Sequence, residues 1–167
     1  MSTALIPGSF DPITVGHLDI ITRAATRFDR VTVAVMNNDM RKYVADAAVK
    51  TYRFTAEERL EMAAAACAHL SNVEVITAGG MLIDLVDRLG TDFIVKGVRN
   101  AADFEYEQKH ALYNRAHNPR AETLYMPSDP AFDGISSTLA RGLLEEGKSP
   151  EGILPPPVLE WIRAHRA

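Results

Sequence analysis

Cysteine is nearly missing from this chain of 167 residues: Cys67 is the only one. No disulfide can close within the chain, which removes the stapled scaffold of small secreted domains. Cys67 lies in an Ala-rich helical run and reads as a small buried hydrophobe. An excess of positive charge is also lacking, since 18 basic residues against 22 acidic ones leave a net charge of −4. A general nucleic-acid binder needs a basic face, so that class is not expected; a local basic pocket for a phosphorylated small molecule stays open. No apolar run approaches the roughly 18 residues of a membrane-spanning helix. The N-terminus lacks the basic stretch followed by an apolar run that marks a signal peptide. What remains is an ordinary balance of 47% hydrophobic and 24% charged residues. It predicts one cytoplasmic domain over residues 1–167, with no nucleic-acid or membrane partner.

Apolar runs alternate with helical patterns along the chain. Ala4-Leu5-Ile6, Val31–Val35, Val73–Ile76, Phe93-Ile94-Val95 and Thr123–Met126 read as strands. Between them, apolar residues recur at helical spacing from Leu18, from Thr55 to about Leu70, over Met81–Arg88 and from about Phe104 to Ala116. Thr55 and Glu58 have the spacing of a capping box, and Gly90 stops the third helix. Two more helices follow, one started by Ile135-Ser136-Ser137-Thr138 and running through Glu146, and one from the Pro155-Pro156-Pro157 run to about His165. This alternation predicts an α/β fold with a doubly wound, five-stranded parallel sheet. Ligands of such sheets bind beyond the carboxyl ends of the strands.

The segment Pro7-Gly8-Ser9-Phe10-Asp11-Pro12-Ile13-Thr14-Val15-Gly16-His17 joins the first strand to the first helix. Gly8 and Gly16 permit close approach of backbone to a ligand, and the N–H groups at the helix start favour an anion. A plain strand-to-helix connection would need no Ser9, Asp11 or His17. An imidazole at this position can donate to a phosphoryl oxygen and stabilise growing charge. His69, His110, His117 and His165 have no such context and read as structural or merely exposed. Lys96-Gly97-Val98-Arg99 puts two cations around a glycine at a strand end, which beside an anion loop reads as a second phosphate clamp. The acids that follow, Asp103 to Glu107, suit a helix start in any protein.

Thr14-Val15-Gly16-His17 resembles the (T/H)-x-G-H signature of the nucleotidyltransferase superfamily, and the whole Pro7–His17 string resembles the opening of the bacterial phosphopantetheine adenylyltransferases. Lys96-Gly97-Val98-Arg99-Asn100-Ala101-Ala102-Asp103-Phe104-Glu105-Tyr106-Glu107 is similar to that family's (R/K)-G-L-R-x-x-x-D-F-E-Y-E string, continued by Asn114-Arg115. With Phe54-Thr55-Ala56-Glu57-Glu58-Arg59 the resemblance spans most of the chain in order. It implies a Rossmann-like nucleotidyltransferase fold and transfer of the AMP part of ATP to 4′-phosphopantetheine, giving dephospho-coenzyme A and pyrophosphate. It further implies Mg2+ with the ATP, a homohexamer and feedback inhibition by coenzyme A.

By the same resemblance, Ser9 touches both substrates, and Phe10 and His17 contact ATP, with His17 stabilising the transition state. Lys96 and Leu82 serve phosphopantetheine. Gly97, Val98, Arg99 and Glu107 belong to the ATP site, as do Phe132, Asp133, Gly134, Ile135, Ser136, Ser137 and Thr138. Lys50, Lys96 and Arg99 would hold two polyanions together, leaving catalysis to positioning and charge stabilisation.

Three departures from the family pattern stand out. The segment after Val35 is longer, so spacing back from Phe54 selects Lys50 as the active-site lysine, whereas alignment from the other side selects Lys42. Phe132-Asp133-Gly134 replaces an aromatic-Ser-Phe run. Ile135-Ser136-Ser137-Thr138-Leu139-Ala140-Arg141-Gly142 follows the wider superfamily's I-S-S-T-x-x-R pattern, which brings Arg141 forward as a ligand of the β- or γ-phosphate; a solvent-exposed arginine is the alternative. Two rival functions are a sister adenylyl- or cytidylyltransferase and a nucleotide-binding module without turnover. The Asp103–Glu107 string argues against the first, and His17, Lys96 and Arg99 argue against the second.

Overall fold

Five short runs rich in β-branched residues pair into one parallel sheet in the structure, a computed structural model described over residues 1–37 and 51–166. The strands are β1 (Thr3–Gly8), β2 (Arg30–Met36), β3 (Val73–Ala78), β4 (Phe93–Val98) and β5 (Thr123–Pro127). Their order across the sheet is β3-β2-β1-β4-β5, all parallel. Helices α1 (Val15–Ala25), α2 (Ala56–Cys67), α3 (Leu82–Leu89) and α4 (Ala101–His117) alternate with the strands; α5 (Ser137–Glu145) and α6 (Pro156–His165) follow. This is the doubly wound, Rossmann-like architecture expected from the alternation.

The sheet separates two apolar layers. Ile6, Val31, Val33, Val35 and Val95 meet Ile20, Ile21 and Ala24 of α1 and Met62, Ala63 and Ala66 of α2. Leu5, Ala34, Met36 and Ile94 face Leu85 and Val86 of α3 on the other side. Fully buried aliphatic side chains such as Ile21 and Leu85 contribute roughly 1.5–3 kcal/mol each, and this core fixes where the strand ends lie.

Local chemistry sets the helix ends. Thr55 and Glu58 form the expected capping box on α2. Gly90, at φ 60°, closes α3 in the left-handed conformation that glycine tolerates. Helix α4 starts at Ala101, earlier than the apolar pattern from Phe104 indicates, because the Asn100 side chain accepts the Asp103 N–H at 2.9 Å and caps it.

Strand order places the topological switch between β1 and β4, where the connections depart in opposite directions. β1 registers with β2 over six residue pairs but with β4 only at Ala4–Phe93 and Leu5–Ile94. The two strands therefore part toward their carboxyl ends, opening a crevice where such folds bind ligands.

Candidate active site

The segment leaving β1 is a tightly specified turn. Phe10 has φ 47°, a left-handed conformation that costs a non-glycine residue about 1–3 kcal/mol. The turn folds the Phe10 ring back over Gly8, where a Cβ would lie 2.8 Å from the ring. Gly8 is thus required by the protein's own packing. The ring then meets the His17 imidazole edge-on, with centroids 5.2 Å apart.

His17 is the third residue of α1 and takes the place of the usual Glu or Gln in a capping box. The Thr14 N–H donates to its Nδ1 at 3.0 Å, while the Thr14 hydroxyl accepts the His17 N–H at 3.3 Å. With Nδ1 engaged as acceptor, the neutral ring carries its proton on Nε2. Burial, aided by the Arg99 charge, pushes the imidazole pKa down to about 4. His17 is therefore a neutral, pre-oriented Nε2–H donor at physiological pH.

The two cations, Lys96 in the carboxyl-terminal half of β4 and Arg99 just beyond it, are both paired with acids of α4. Arg99 donates through Nε to Asp103 at 2.7 Å, which raises the guanidinium pKa and lowers that of the carboxyl. Lys96 meets Glu107 at 3.2 Å. Asp103 and Glu107, one helical turn apart, form the polar inner face of α4. Gly97 is read from the sequence as a close approach to phosphate; in the structure a Cβ there would meet Ile20 of α1 at 3.0 Å, so the glycine also lets helix and strand pack.

The third wall comes from α5 and the segment before it. Phe132 ends a single 3-10 turn (Pro130–Phe132) and lies against Gly16, 3.7 Å from where a Cβ would stand. Asp133 is near enough to Arg99 to add to its raised pKa. Ser136 caps α5 by accepting the Leu139 N–H. The Ser137 hydroxyl donates to the Pro12 carbonyl at 2.8 Å. Arg141 donates to the Asp11 carbonyl at 2.8 Å and to the Thr138 hydroxyl at 3.2 Å. Its side chain thus points back to the first loop instead of into solvent.

Ser9, Phe10, His17, Lys96 to Arg99, Glu107 and Phe132 to Arg141 are accordingly gathered at one sheet edge around the switch point. Leu82 begins α3 at the same edge but packs on the opposite sheet face, with Leu5, Ala78 and Ile94. Lys50 and its alternative Lys42 lie outside the described residues. Among the described residues, no group of three or more His, Cys, Asp or Glu side chains is placed to hold a metal ion.

Residues 5–143 match the family model described as cytidylyltransferase-like. The chain is 43% identical to the phosphopantetheine adenylyltransferase of Symbiobacterium thermophilum over 93% of its own length and 91% of the relative's. It is 38% identical to the enzyme of that name from Limosilactobacillus fermentum, covering 98% of this chain and 90% of the other. The Staphylococcus haemolyticus enzyme of the same name is also 38% identical, over 96% and 94%. The chain belongs to the phosphopantetheine adenylyltransferase family.

Two residues matter to this site that the motifs alone leave without a role. Asp11 is buried, and its carboxylate accepts the backbone N–H groups of Arg53 and Phe54, each at 3.0 Å. Arg59 is 0% exposed; it donates to the carbonyls of Ser9 at 2.7 Å and Met36 at 3.0 Å and stacks on the Tyr52 ring at 3.9 Å. A signal for Arg59 existed: it heads the buried stripe Met62, Ala63, Ala66, Cys67 at helical spacing.

Proposed function

We propose that this chain transfers the adenylyl group of ATP to 4′-phosphopantetheine, releasing pyrophosphate and forming dephospho-coenzyme A. The observation that carries the reading is the His17 Nε2–H donor, held neutral near the Arg99 charge at the crevice between β1 and β4, the strand that also bears Lys96. A phosphate monoester is ionised at neutral pH and needs no general base. One of its oxygens attacks the α-phosphorus of ATP while the bond to the pyrophosphate oxygen breaks. Positioning and charge stabilisation are then the whole task of the protein.

In this reading His17 donates to a non-bridging oxygen of the α-phosphate as charge develops there. A neutral donor does this without binding the ground-state anion as strongly as a cation would. Lys96, with Ser9 and Leu82, receives phosphopantetheine, joined by Lys50. Arg99 and Glu107, the backbone of Gly97 and Val98, Phe10, and the Phe132–Thr138 segment receive ATP, with Arg141 reaching the β- or γ-phosphate. Arrival of polyanions would draw Lys96 and Arg99 from their ion pairs with Glu107 and Asp103. Magnesium enters as the counterion of the triphosphate, part of the substrate.

Helix α4 supports a homohexamer. It buries no residue in the protomer, and Phe104, Tyr106, Leu112 and Tyr113 are exposed along it. Light scattering at assay concentration should give the mass of six chains; a monomer would refute this part. Coenzyme A, which contains the product, would occupy the same crevice as a feedback inhibitor. The lone thiol, Cys67, is buried with its pKa raised to about 11, and a cytoplasmic setting is our reading for it. The test of the activity is pyrophosphate release from Mg-ATP with phosphopantetheine or nicotinate mononucleotide as acceptor, run side by side. Release with phosphopantetheine alone is expected; preference for the mononucleotide would establish the sister activity instead.

A further inference from the structure

Among the described residues, Phe10 is the only non-glycine residue with positive φ, and it is restrained from both sides. On one side Arg59 holds the Ser9 carbonyl at 2.7 Å. On the other, the Asp11 carboxylate is fixed by the N–H groups of Arg53 and Phe54, and its carbonyl by Arg141. A strained conformation persists only where its surroundings over-determine it. The consequence of this one is positional: the Phe10 ring covers Gly8 and stands edge-on to His17.

Arg59 is a costly way to hold a carbonyl. Its guanidinium is fully buried, and desolvation lowers its pKa. Among the described residues its hydrogen-bond partners are two backbone carbonyls and the Asn37 amide oxygen, not a carboxylate. Nε has no partner. Apolar residues of similar volume generally serve stability as well as buried charge does or better. What they cannot do is join the ends of β1 and β2 through one rigid fork: Arg59 ties Ser9, just beyond β1, to Met36 and Asn37 at the end of β2.

We propose that Arg59 is a positioning residue for the reaction: by holding the Ser9 carbonyl it keeps Phe10 in its left-handed turn, and through the Phe10 ring it aims the His17 imidazole. The role rests on the function proposed above, in which His17 is the transition-state donor. Arg59 itself touches no substrate.

The test is a double-mutant cycle of Arg59→Lys and Phe10→Leu, read by kcat and by nitrogen NMR of the His17 ring. Lysine keeps the charge and loses the planar fork. If Arg59 acts through Phe10, Arg59→Lys lowers kcat by on the order of 10²-fold, the cost of a small misplacement, with a smaller change in the KM for ATP. The double variant then matches Phe10→Leu within about a factor of two. Both single variants also weaken the signature of an accepting Nδ1 and a protonated Nε2. Multiplying losses in the double variant, or an unchanged His17 ring signature in both single variants, overturns the proposal. Should Arg59→Lys fail to fold, Asp11→Asn enters the same cycle from the other side of Phe10 with the same expectations. The NMR readout needs no turnover, so failure of the positioning role and failure of the proposed activity are distinguishable.

Discussion

Thr14 and His17 hold each other through two reciprocal hydrogen bonds: the Thr14 N–H donates to Nδ1 at 3.0 Å, and the Thr14 hydroxyl accepts the His17 N–H at 3.3 Å. One contact thereby caps α1 and selects the Nε2–H tautomer. Protonating the ring removes the Nδ1 acceptor, so the cap and the charge state are linked.

That link predicts a pH dependence of stability. The folded imidazole titrates at about 4 and the unfolded one at 6.5, so the unfolded chain binds the proton more readily between those values. The His17 contribution is complete above pH 6.5 and is lost as the pH falls toward 4. Gln at the same position can cap but cannot titrate. Urea unfolding from pH 7 to pH 4.5 should therefore show a steeper loss for wild type than for His17→Gln. Parallel curves would mean that the ring is not held in its neutral form.

The catalytic role proposed for His17 predicts a different split. His17→Ala should lower kcat by ~10²–10³, the usual cost of losing one preorganised donor, while the ATP dissociation constant by calorimetry changes little. His17→Gln, whose amide offers a donor on the same helix face, should recover part of the loss. A near wild-type kcat in His17→Ala would remove His17 from the chemistry.

Most of this fold was legible because strand and helix periods alternate cleanly, from Ala4-Leu5-Ile6 to Thr123–Met126. The gathering of the Pro7–His17 loop and the Lys96–Arg99 segment at one sheet edge was legible from their positions at strand ends. The fate of that segment's two cations was not. That Lys96 meets Glu107 and Arg99 meets Asp103 depends on the angle at which α4 returns over β4. Arg59 and Asp11 carried only faint signals, since a buried charge looks the same in sequence as an exposed one. For Arg141 the sequence leaves both a phosphate and solvent open. Its contact with the Asp11 carbonyl joins residues 130 apart in sequence, which only the packed fold brings together.

Lys50 and Lys42 should separate in one assay. Spacing back from Phe54 selects Lys50, so Lys50→Ala should cripple adenylyl transfer and Lys42→Ala should be mild. The opposite ranking would place the longer segment's extra residues on the other side of the active-site lysine.

Arg141→Ala should weaken ATP binding by about 1.5–3 kcal/mol, the worth of a hydrogen bond to a charged group, and leave phosphopantetheine affinity unchanged. Because Arg141 also holds the Asp11 carbonyl and the Thr138 hydroxyl, Tm should fall as well. A lower Tm with an unchanged ATP dissociation constant would make Arg141 a tether of the first loop and nothing more.

Attack of the acceptor phosphate oxygen on the α-phosphorus of ATP, with pyrophosphate as the leaving group, is the centre of this account. It is tested by supplying phosphopantetheine with a heavy-oxygen-labelled phosphate and following the products by mass spectrometry. The account predicts dephospho-coenzyme A that keeps all of the label, with an equal amount of unlabelled pyrophosphate. Absence of dephospho-coenzyme A, or label appearing in pyrophosphate, would contradict it.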